Sequence, residues 1–133
     1  MVNVESEKIR LILVAGGSYD EREKIISDAT VNHHQITAII LEGLPSGKPL
    51  LQTHHSLLVE RIAPGCFCCT GQLVMQVSLH RMIRKQPQFL YISIANTEHL
   101  GQLQAHLSQT SYQAWLELEN VIQLPSSSDV ALP

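Results

Sequence analysis

The feature that most constrains this chain is a short, nearly continuous apolar run, Ile9 to Ala15 (IRLILVA), which ends in Gly16 and Gly17 and leads into a segment of helical period. A run without polar alternation suits a strand covered on both faces, leaving the sheet through a turn. Ser18 and Asp20 offer capping oxygens to a helix from about residue 20 to 31, with Ile25, Ile26 and Ala29 as its apolar stripe. The pattern then recurs. Residues 36–41 (ITAIIL) are β-branched enough for a second strand, 57–62 read as a third, and 89–95 (FLYISIA) repeat the buried-strand signal. Met75, Leu79, Met82 and Ile83 keep helical spacing over 71–86, which Pro87 ends, and Leu100, Leu103 and Leu107 share one face of a helix over 97–107. A short helix near 112–116 and a strand near 120–124 complete the order.

Strands alternating with helices predict an α/β protein: a three-layer, mainly parallel open sheet with helices on both faces. At 133 residues the chain has the size of one domain. A single α/β domain is expected over 1–124, with a frayed C-terminal tail over 125–133 (PSSSDVALP), which has no apolar face. No helix separates the second and third strands, and Gly43, Pro45, Gly47 and Pro49 break their link into a loop, so these two are expected to pair antiparallel.

A net charge of -3, without a basic stripe, disfavours a nucleic-acid partner. No apolar run approaches the ~20 residues of a membrane span. The first ten residues are polar and mixed in charge, unlike a signal peptide, so a cytoplasmic protein without a membrane partner is expected.

All three cysteines fall in one run, Gly65-Cys66-Phe67-Cys68-Cys69, between a strand end and a helix start. Neighbours that close do not make a disulfide framework. Their thiolates are soft ligands suited to Zn²⁺ or another transition metal, and three sulfurs from one loop can take three corners of a tetrahedron. A fourth donor must come from elsewhere. His33-His34 and His54-His55 are metal-ligand types, although loop histidines are ordinarily solvated; His54 and His55 precede the strand that delivers the cysteines. Glu42, at the end of the second strand, is the other candidate. With those strands antiparallel, Glu42 and His54 would both lie at the end of the sheet opposite the thiols.

The Gly16-Gly17 turn follows the first strand, where a phosphate loop would sit. A working loop needs G-x-x-x-x-G-K-[ST] so that backbone amides wrap the phosphates, the lysine meets the terminal ones and the hydroxyl holds Mg²⁺. Counting from Lys24, Ser18 and Glu23 replace the two glycines and Ile25 replaces the hydroxyl residue. Asp20, Glu21 and Glu23 add repulsion. No bound nucleotide and no nucleotide chemistry are expected.

The Gly-Cys-x-Cys-Cys segment in this context resembles that of the CobW-type P-loop GTPases and metallochaperones, and the likeness runs from Ile9 to about Leu107. Family members bind Zn²⁺ or other transition metals at these thiols and couple delivery to GTP hydrolysis. Leu41-Glu42-Gly43 is similar to the family's Asn-Glu-Phe-Gly, whose acid lies near the metal, so the resemblance implies Cys66, Cys68, Cys69 and Glu42 as the metal set. The departures fall on the nucleotide side. The family's Glu-x-x-Gly after the fourth strand reads Ser93-Ile94-Ala95-Asn96, and no [STN]-K-x-D guanine-reading segment is present. The resemblance therefore implies a stripped member that kept its thiols. Its partner would be the metal ion, a second copy sharing the site, or a client metalloprotein. A residual GTP-binding metallochaperone and a structural pseudo-GTPase docking module are the alternatives.

Overall fold

The computed structural model describes residues 8–45, 47–64 and 70–125, the side chains of 70–72 excepted. Among these, β1 (Ile9–Ala15), α1 (Tyr19–Thr30), β2 (Thr37–Glu42), β3 (Leu57–Ile62), α2 (Thr70–Arg84), β4 (Phe89–Ile94), α3 (Glu98–Leu107), α4 (Thr110–Gln113) and β5 (Leu116–Gln123) follow in chain order. The strands form one five-stranded sheet in the order β3-β2-β4-β1-β5, and every pair in it is parallel. With helices on both faces this is a three-layer, P-loop-like α/β fold.

Alternate residues of each strand feed two separate cores, as the pleat requires. On one face Leu11, Leu13, Ala38, Ile40, Leu90, Ile92 and Ile94 meet Met75, Leu79 and Met82 of α2 and Leu100, Leu103 and Leu107 of α3. On the other, Ile12, Val14, Ile39, Leu41 and Tyr91 meet Tyr19 and Ile26 of α1. The stripes read from α2 and α3 are the buried ones. On α1 the buried face is Tyr19, Arg22, Glu23 and Ile26, while Ala29 is exposed.

The expected antiparallel pairing of β2 and β3 is wrong. The two run parallel, Thr37 opposite Leu57 and Glu42 opposite Ile62. The link between them exceeds the dozen or so residues that a parallel crossover needs, and it manages without a helix because it is anchored at its middle. Leu51 is buried in the α1-side core. The amides of Leu50 and Leu51 both donate to Oε2 of Glu23 at 2.8 Å, and Arg61 of β3 donates to the Leu51 carbonyl at 2.8 Å. The last helix and strand also begin earlier than their sequence signals, at Thr110 and Leu116. Residues 126–133, most of the expected tail, lie outside the described residues.

Candidate functional site

β1 and β4 are neighbours whose onward connections leave in opposite directions, through α1 on one face and α3 on the other. The crevice beyond their C-terminal ends is where open α/β sheets hold ligands, because the diverging loops leave space there. In this chain a side chain occupies it. Arg22, in the first turns of α1, is 1% exposed and reaches back across the crevice. Its Nε donates to Oγ of Ser93 on β4 at 2.6 Å, its Nη1 to the carbonyls of Gly16 and Gly17 at 2.8 and 3.1 Å, and its Nη2 to the carbonyl of Glu42 at 3.1 Å. Burial pulls the guanidinium below its usual value, opposed by Glu42, Tyr19 and Glu21; it remains a cation.

The polarity of this turn is the reverse of a phosphate cradle. Phosphate loops point amide N–H groups inward, whereas Gly16 and Gly17 turn carbonyl oxygens inward. The amides at the start of α1 are engaged by a capping box: Glu21 N–H donates to Ser18 Oγ at 3.1 Å, and Ser18 N–H to Glu21 Oε1 at 2.8 Å. Glu21 thereby places a carboxylate where an anion would approach. Lys24 points away, bonded to Asp28 at 3.3 Å with both side chains largely exposed. Both glycines have positive φ, and a Cβ at Gly16 would collide with the carbonyl oxygen of Leu124, so that glycine serves close approach of the chain after β5.

Glu42 is buried at the C-terminal end of β2, and its Oε1 accepts the amide of Ala95, two residues past Ser93, at 2.9 Å. The amide of Gly43 donates to the carbonyl of Ile62 at 3.1 Å, tying the ends of β2 and β3 together. Glu42 therefore sits at the edge from which the chain proceeds through Pro64 toward the cysteines. The antiparallel pairing that put Glu42 beside His54, at the far end from the exit of β3, is overturned by the parallel register. Gly65 to Cys69, with the three candidate thiols, lies outside the described residues. Among the described residues no group of three or more His, Cys, Asp or Glu could hold a metal ion.

The histidine pairs belong to the other end of the sheet. His54 closes a tight turn with Leu57 at the start of β3, bonds Ser56, and has its ring 5.4 Å from that of His55. The six residues of β3 separate it from the C-terminal end of that strand by roughly 20 Å at about 3.3 Å per residue. His33 stacks on Phe89 at 4.0 Å, and its Nε2 lies 2.9 Å from the Tyr91 hydroxyl.

Sequence reasoning missed Arg22, Ser93 and an ion pair between buried Glu23 and the more exposed Arg61. Arg61 forks onto Glu23 at 3.1 and 2.8 Å and donates to the Tyr19 hydroxyl at 2.6 Å. Burial pushes the Glu23 carboxyl up, but Arg61 and the amides of Leu51 and Leu50 outweigh it and hold the group below 4.5. The signal was present: Tyr19, Arg22, Glu23 and Ile26 follow i, i+3, i+4, i+7 spacing, a buried face whose middle two positions are charged. No protein-family model matches the chain, and no curated protein or solved structure matches it.

Proposed function

We propose that this chain is a small CobW-like metal-binding protein, preferring Zn²⁺ and carrying a GTPase site that no longer works. It acts in metal handling, or as a regulatory partner of an active relative, in the reducing cytosol that keeps thiols available. The observation that carries this reading is the parallel register of Glu42 with Ile62. It supports a shared edge for the carboxylate and the thiols, since Cys66 follows Ile62 by four positions, a reach of about 14 Å at most for extended chain.

The donor set suits the ion. Cys66, Cys68 and Cys69 would hold it through sulfur, and Glu42, its Oε1 bonded by the Ala95 amide, would complete a tetrahedral shell of three sulfurs and one oxygen. Such a shell is over-supplied with negative charge, and Arg22 is a buried cation bonded to the Glu42 backbone. The carbonyl-lined turn and the capping box favour loss of nucleotide binding over a residual GTPase.

Co²⁺ titration tests the reading. Thiolate-to-metal absorption should saturate at one equivalent, or at half an equivalent if two copies share a site, and the ligand-field bands should shift in Glu42→Gln. A flat spectrum would refute it.

A further inference from the structure

We propose that the outer edge of β5 is a docking strand, independent of metal binding, for an extended segment of another protein in which apolar and basic residues alternate. β5 ends the sheet on the side opposite β3, and the two edges are finished differently. On β3 the chain's own link covers the edge. Leu57 exchanges two backbone bonds with His54, and the Thr53 hydroxyl accepts the Val59 amide at 3.0 Å and donates to the Val59 carbonyl at 3.3 Å. β5 has β1 as its one strand neighbour among the described residues. An uncovered edge is a template for a further strand, whose main chain supplies the bonds and whose alternate side chains supply the specificity.

The register decides which groups are open. The Ile9 amide donates to the Trp115 carbonyl at 2.8 Å and Ile9 lies opposite Leu116, so Trp115 and Glu117 turn their backbone groups toward β1 while Leu116 and Leu118 turn theirs outward. Past the irregularity between Leu118 and Asn120 the edge is partly closed, because the Asn120 side chain accepts the Val121 amide at 2.9 Å. The open stretch therefore centres on residues 116–118, and its two sides differ in chemistry. On the α3 side Leu116 and Leu118, with Leu11, Leu13 and Leu107, line a cavity of about 270 Å³ in which Lys8 is the one charged lining group. An apolar side chain suits it and a basic one is repelled. On the α1 side Glu117 lies beside Arg10, and Glu119 shares that side through a 4.0 Å ion pair with Arg10, both half exposed. Two acids there face one cation. A partner strand therefore presents an apolar side chain to the cavity and basic ones to Glu117 and Glu119, which is the alternation a strand provides. A second copy of β5 would instead bring the same two acids to this edge, where like charges oppose pairing.

The test uses short blocked peptides on the full chain: alternating lysine and valine (KVKVK), its charge-reversed counterpart (EVEVE), and a serine version without apolar side chains (KSKSK). Trp115, the chain's one tryptophan, is half exposed and immediately precedes Leu116, so its fluorescence reads occupancy of this edge. KVKVK should give a saturable change that weakens as salt rises, and the other two peptides should bind about tenfold more weakly or worse. Exchange of the Leu116 and Leu118 amides, followed by NMR, should slow when KVKVK is bound. Leu118→Lys should weaken KVKVK about tenfold, and Glu117→Lys combined with Glu119→Lys should reverse the preference to EVEVE. All three positions are exposed, and circular dichroism checks that each variant folds; either variant carries the test if the other does not. No saturable change with KVKVK, equal binding of KVKVK and KSKSK, unchanged exchange at the two amides, or a native preference in the charge-reversed variant would each overturn the proposal. So would self-association in sedimentation that Leu118→Lys abolishes, since the occupant would then be a second copy.

Discussion

Arg22 on α1 and Ser93 on β4, 71 positions apart, are joined by a 2.6 Å hydrogen bond that closes the crevice between β1 and β4. Hydrogen bonds to a charged group contribute about 1.5–3 kcal/mol each in favourable settings, and leaving their buried acceptors unpaired costs a similar amount. The contact is therefore a structural commitment as well as an obstruction: a ligand entering the crevice would have to displace a guanidinium holding four acceptors.

From this follows an expected absence of GTP and ATP turnover above background. Each electrostatic stabiliser missing from a phosphoryl-transfer site costs several kcal/mol of barrier, and here the inward amides, the Mg²⁺ hydroxyl and the fourth-strand acid are all replaced. Phosphate-release assays should match a blank. Turnover that disappeared in Lys24→Ala would contradict the solvent-facing placement of that lysine.

Acid should destabilise the protein in two steps. His33 is held below its ordinary 6.5 by burial and by His34, so the stability of its neutral form is present above about 6.5 and is lost as pH falls through the lowered value. Glu23 is held below 4.5, so its contribution is present above about 4.5 and is lost as pH falls further. In a Tm-against-pH series, Glu23→Gln should be destabilised by about 1.5–3 kcal/mol near neutrality, the worth of a hydrogen bond to a buried charged group, since the Arg61 it leaves behind can reach solvent. Its profile should also be flatter below 4.5. A variant profile merely displaced in parallel would show that this carboxylate does not govern the acid limb.

The face of α1 can be checked by substitution. Ile26 is fully buried, so Ile26→Ala should cost about 2–5 kcal/mol in denaturant unfolding. Ala29→Ser, on the exposed side, should stay within about 0.5 kcal/mol. Equal effects would place the stripe where the sequence first suggested, at Ile25, Ile26 and Ala29.

The sequence revealed most of the architecture because apolar periodicity is strong in β1, β4, α2 and α3. It failed where the deciding information is not apolar. β2 and β3 were read as antiparallel because nothing in residues 43–56 has helical period; what makes the crossover parallel is a polar anchor, Glu23 gripping the Leu50 and Leu51 amides from a different element. The stripe of α1 was misplaced for the same reason, since Arg22 and Glu23 are buried through partners that no local pattern displays. At the candidate site, the choice of Glu42 came from motif resemblance, and the local geometry argued against it until the register of β2 with β3 was reversed.

The central claim is that this chain binds a transition metal through Cys66, Cys68 and Cys69. The most direct measurement is elemental analysis of protein purified without chelator, beside a Cys66→Ser, Cys68→Ser, Cys69→Ser variant prepared identically. The account predicts zinc near one equivalent per chain, or per pair of chains, in the native protein and little in the variant; equal metal content in the two would contradict it.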